Sequence, residues 1–151
     1  MGHRVISAVH RADLAEALGH PQEVDDLGDL RHVVEDRDLE PIADFLKGIV
    51  PMPAVFENKY VTRLHGDNVK KGKTKRDLAE QLRQDMRDFK AKHNCDRLVI
   101  VWCASTEIFI KPGPQHATIE QFEKAMDDND DAISPSMLYA WAAIMEGVPY
   151  C

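Results

Sequence analysis

Residues 97–107 read RLVIVWCASTE. The apolar run from Leu98 to Cys103 has the length of a strand and β-branched residues that suit a pleated surface. It lacks polar alternation, so it predicts a strand buried on both faces of a parallel sheet. The run empties into Ala104, Ser105, Thr106 and Glu107: three small residues and a carboxylate. Two readings are open. Ser and Thr at a strand end satisfy the backbone of the following turn. The same residues also suit a ligand edge, because ligands of open α/β sheets sit outside the carboxyl ends of strands. Small side chains admit close approach, and hydroxyls bond ribose or phosphate oxygens.

The flanks supply the helices of an α/β arrangement. Upstream, KRDLAEQLRQDMRDFKAKHN (75–94) places Leu78, Leu82, Met86 and Phe89 on one face at helical spacing, with Arg, Asp and Gln on the other. Downstream, KPGP (111–114) breaks the chain. Thr118 with Gln121 predicts a capping box for IEQFEKAM. Ser134 followed by Pro135 predicts a second helix start, and Gly147 a left-handed stop after MLYAWAAIME. Pro51 and Pro53 force an extended path through PMPAVF. Ala12–Leu18 and Leu39–Leu46 read as short helices separated by the acidic loop DDLGDL.

At 151 residues the chain suits one domain. Its net charge of −7 argues against broad binding to nucleic acid or to an anionic membrane. No apolar stretch approaches the ~20 residues of a membrane span, and the N-terminus lacks the apolar core of a signal peptide. The three cysteines, Cys95, Cys103 and Cys151, have no metal or CxxC spacing. They read as reduced thiols of a cytoplasmic protein.

Several short motifs fail on their own spacing. GKT (72–74) resembles a phosphate loop, but Gly66 and Gly72 are separated by the five residues DNVKK where the motif needs four. A solvated lysine loop from Asn68 to Lys75 is the better account. DDNDD (127–131) has the alternation of a calcium loop, but its sixth and twelfth positions hold Ala132 and Leu138 instead of glycine and glutamate. Cys103 has no histidine beside it in sequence; as a catalytic thiol it needs His65 or His116 brought close in space. A buried structural cysteine is the simpler reading. The histidines form no HxxxH or HExxH pattern, and no metal site is expected.

Four stretches together resemble the myo-inositol-phosphate synthases: PMPAVFENKYV (51–61), NVKKGKTK (68–75), MRDFKAKHNCDRLVIVWCASTE (86–107) and SPSMLYAWAAIMEGVPY (134–150). The similarity runs from about Val50 to Cys151, and Trp102 to Glu107 fit the family's strand-end motif position by position. The resemblance implies a partial Rossmann-like NAD-binding domain, a parallel sheet flanked by helices, over 50–151, preceded by a poorly matched segment, 1–49. It implies NAD as cofactor and, in a complete enzyme, cyclisation of glucose 6-phosphate to an inositol phosphate by a homo-oligomer, the family tetramer. NAD contacts carried over from the family fall on Ala54, Val55, Cys103, Ala104, Ser105 and Thr106, with His65 beside a polar contact position.

The departures are equally specific. The family opens its nucleotide-binding domain with a Gly-rich turn that receives the pyrophosphate at a helix N-terminus. No GxGxxG or Gly-Gly turn occurs here; Gly2, Gly19 and Gly28 are isolated, and EVDDLGD (23–29) is a degraded relative of the family's GWDI segment. The family's catalytic lysines and aspartate follow its counterpart of VPYC, and Lys70, Lys71, Lys73 and Lys75 match a surface loop instead. The expectation is a chain without catalytic residues of its own: a fragment of the synthase, or a non-catalytic Rossmann-like interaction module that has lost the cofactor.

Overall fold

The computed structural model describes Ile6–Ser7 and residues 51–151. The readings made for Ala12–Leu18, DDLGDL and Leu39–Leu46 lie outside the described residues. Strand β1, Ile6–Ser7, runs parallel to β2, Ile100–Val101, with Ile6 opposite Ile100 and Ser7 opposite Val101. The opposite edge of β2 pairs with 149–151, also in parallel. Ile100 N donates to Pro149 O (2.8 Å), Cys151 N to Ile100 O (2.9 Å) and Trp102 N to Cys151 O (2.7 Å). The Leu98–Cys103 run is therefore central to the sheet, as its apolar character requires.

It is not buried on both faces. Leu98 and Ile100 are buried, whereas Val99 is 38% exposed and Val101 is half-buried. That is the period of two expected when helices cover one face. A separate parallel bridge joins Ala54 to Val69, through Ala54 N to Asn68 O (3.0 Å) and Lys70 N to Ala54 O (2.8 Å).

Three helices follow from their caps and faces. Helix α1, Lys75–Lys92, starts where Thr74 Oγ1 accepts the Asp77 N–H (3.2 Å). Lys90 and Lys92 in its last turn complement the carbonyl end of the helix dipole. It ends at Asn94, whose φ of 48° is a left-handed conformation that Asn tolerates. Its Ala79, Leu82 and Met86 enter the core, with Leu78 and Phe89 packed at the margin. Helix α2, Ile119–Asp127, is capped by Thr118 Oγ1 accepting Gln121 N–H (3.2 Å). Helix α3, Pro135–Met145, begins on proline and is closed by Gly147 at φ 64°. Leu138, Tyr139, Trp141, Ala142 and Ala143 bury it on most sides against α1. Fully burying a side chain such as Leu138 stabilises by roughly 1.5–3 kcal/mol.

Candidate functional site

Past β2 the chain leaves the sheet at its carboxyl end. Cys103 and Thr106 are exposed, and Ala104 and Ser105 are half-buried. Regular structure does not resume until the short 3-10 turn Pro114–His116, and Ile108 (52%) and Phe109 (87%) stand open to solvent. The buried structural role expected of Cys103 is thereby overturned: it lies beyond the last sheet hydrogen bond of Trp102. His116 is not free to activate it. His116 Nδ1 accepts the Gly113 N–H (3.0 Å), so its Nε2 donates to Ala132 O (2.9 Å), and both ring nitrogens are engaged.

Glu107 ends the segment differently. Its Oε1 accepts the Ser136 N–H (2.9 Å) and its Oε2 accepts the Ser136 hydroxyl (2.6 Å), at the first turn of α3. Ser134, the residue expected to cap α3, makes no side-chain cap; its Oγ lies 3.1 Å from Ser136 Oγ. A carboxylate from 29 positions upstream does the capping, where helix dipole and N–H groups both favour an anion. Tyr150, whose hydroxyl reaches Ser136 O at 3.4 Å, is pushed up to about 12 by burial first and by the Glu107 charge second.

Ala54 and Val55 join the strand end through Tyr139. The Val55 N–H donates to Tyr139 Oη (3.1 Å), and the Tyr139 ring packs on Trp102 with centroids 5.2 Å apart. Ile108 N donates to Tyr60 O (2.9 Å), a second tie between the two segments. Ala54 has both backbone polar groups in its bridge, and the Val55 side chain is buried in the core. His65 is exposed on the 61–68 loop, next to Leu64, whose carbonyl is held by Asn58 Nδ2 (2.7 Å).

The lysine loop is only partly the solvated loop that its composition predicts. Lys71 and Lys73 are exposed, but the Lys70 ammonium is largely covered and pairs with Asp85 (2.8 Å). Lys75 is 3% exposed. Its Nζ donates to Tyr60 Oη (2.6 Å), Asp130 O (2.7 Å) and Ile133 O (2.6 Å), with Glu57 Oε1 at 3.7 Å. Burial lowers the Lys75 pKa against the pull of Glu57. The Tyr60 hydroxyl, 2.9 Å from Asp131 O and 3.0 Å from Ile133 O, is pushed up to about 12 by burial and by Glu57. Asn129, at φ 57°, locks the same turn by accepting Lys75 N–H (2.8 Å) and donating to Lys73 O (3.1 Å). DDNDD is thus a strut for the start of α1. Among the described residues no group of three His, Cys, Asp or Glu side chains is arranged to hold a metal ion, and no helix is long and apolar enough to cross a membrane.

The profile of the NAD-binding domain of a family described as myo-inositol-1-phosphate synthase matches residues 11–151. The chain belongs to this family. Inositol-3-phosphate synthase 1 of Bacteroides thetaiotaomicron is 49% identical over 119 residues, 78% of this chain and 28% of that protein. The Brassica napus inositol-3-phosphate synthase is 34% identical over 91% of this chain and 26% of its own length. The crystal structure of inositol-3-phosphate synthase from Caenorhabditis elegans superposes with a TM-score of 0.73 at 29% identity, covering 79% of this chain and 24% of that one. The chain thus spans about a quarter of the length of these relatives. The fold is that of the family's NAD-binding domain, Rossmann-like, and the cofactor of that domain is NAD.

Proposed function

We propose that this chain forms part of the cofactor site of a cytoplasmic inositol-3-phosphate synthase, with Cys103, Ala104, Ser105 and Thr106 lying along NAD. On this reading Ala54 and Val55 flank the cofactor and His65 stands at its periphery. The observation that carries the proposal is the open strand end: small, accessible residues at the carboxyl end of a parallel strand, where the fold's ligands collect. The residues present fit the group. Ala104 leaves room for backbone approach, and the Ser105 and Thr106 hydroxyls have the chemistry to bond ribose or phosphate oxygens. NAD, when bound, supplies a hydride acceptor and donor for the conversion of glucose 6-phosphate to inositol phosphate. The chain's own contribution is to bind and orient it, within the homo-oligomeric assembly of a complete enzyme.

The test is a substitution that fills the edge. Ala104→Trp should abolish measurable NAD binding in a calorimetric titration while leaving the melting temperature close to that of the unaltered chain. Binding that survives the tryptophan would move the cofactor elsewhere.

A second reading is favoured by the absence of a GxGxxG or Gly-Gly turn in the sequence. Here the domain lacks the glycine-loop unit and serves as a non-catalytic interaction module. It predicts no heat on NAD addition and concentration-dependent self-association through exposed apolar residues such as Phe109. Sedimentation velocity over a range of concentrations separates the two readings.

A further inference from the structure

We infer that Glu107 is a positioning residue for the cofactor edge: by clamping the N-terminus of α3 it fixes the backbone of 103–106 in its NAD-binding conformation. The inference rests on the reading of 103–106 as that edge and adds the device that holds it. Between Trp102, the last sheet residue, and Ile108, the hydrogen bonds to the other described residues come from the Glu107 carboxylate. The chain between these anchors has no helix or strand of its own. Among the described residues the edge is a short span held at one end by Trp102 N to Cys151 O and at the other by Glu107 on Ser136, followed by Ile108 N on Tyr60 O.

The Glu107 clamp is well built for this purpose. Two oxygens receive two donors from one residue, so the carboxylate is fixed in rotation as well as in position. Ser136 belongs to α3, whose next turns carry Leu138 and Tyr139 into the core. Tyr139 packs on Trp102 and accepts the Val55 N–H. The clamp thus registers 103–106 against the same rigid helix that holds Val55. Without it the far end of the span keeps only the Ile108 N–Tyr60 O bond, and cofactor binding would have to supply more of the ordering, at a cost in affinity.

The experiment measures NAD affinity and thermal stability together for the unaltered chain, Glu107→Ala, Glu107→Gln and Thr118→Ala. Glu107→Ala should bind NAD roughly tenfold more weakly, the loss expected from one charge-assisted hydrogen bond. Glu107→Gln keeps an acceptor for the Ser136 N–H and should recover most of the affinity. Thr118→Ala removes the cap of α2, lowering stability without touching the edge, and should leave affinity unchanged. If Glu107→Ala binds within about twofold of the unaltered chain, the positioning role is wrong and the reading of 103–106 stands. If Thr118→Ala weakens binding as much as Glu107→Ala does, the effect is general destabilisation and the role is again wrong. If the unaltered chain takes up no NAD, the reading of the edge fails and this inference with it.

Discussion

The lysine loop and the strand end are opposites in structure, and each reverses the impression its sequence gives. The stretch around Lys75 carries the charge and the GKT of a nucleotide loop, yet its lysine is buried and committed to three oxygen acceptors inside the protein. The stretch after Trp102 is chemically plain, yet its small residues face outward. Buried polar groups are satisfied because leaving them unpaired is costly. The lysine hub therefore stabilises the fold, and the proposed binding edge lies where side chains carry less internal work.

That contrast is broken most severely at Lys75. Lys75→Met removes the donor shared by Tyr60 Oη and the Asp130 and Ile133 carbonyls and one of the two ammonium groups beside Glu57, and should cost about 3 kcal/mol in denaturant unfolding. A change below about 1 kcal/mol would mean that the hub is not the structural centre described here. Tyr60→Phe removes one acceptor from Lys75 and one donor to the 131–133 turn, and should cost about 1–3 kcal/mol in the same measurement.

A smaller effect is expected from alkali. All three tyrosines, Tyr60, Tyr139 and Tyr150, are held above the ordinary value of 10.0 chiefly by burial, Tyr60 and Tyr150 at about 12. Because the folded values lie above the unfolded one, their contribution to stability is complete below pH 10.0. It is lost as pH rises from there through about 12. Near-ultraviolet absorbance should show no tyrosine ionising at its ordinary value in the native protein, and an early phase would place one of them in solvent. The smallest effect belongs to the open segment. Phe109→Ser, at a side chain 87% exposed, should change stability by less than about 0.5 kcal/mol.

Much of the fold was legible because its signals are local. Thr118, Pro135 and Gly147 act within one turn of themselves, and the helices begin or end where they predict. The parallel character of the strand was legible from its apolar run. The exposure of its second face was not, because that depends on what lies above Val99. The long-range polar contacts were also hidden: Glu107 meets Ser136 across 29 positions and Val55 meets Tyr139 across 84. Neither pairing leaves a periodicity or motif. Of the candidate site, the strand-end residues were read from their small size and family pattern. Glu107 was visible as a carboxylate, but its partner was not.

Amide chemical shifts followed through an NAD titration test directly whether NAD lies along 103–106, as proposed, or along the lysine loop. The largest shifts should fall on Cys103 to Thr106, with Ala54 and Val55 following, while Lys71 to Asp77 stay in place. Shifts centred on Lys71 to Asp77, or none anywhere in the chain, would contradict it.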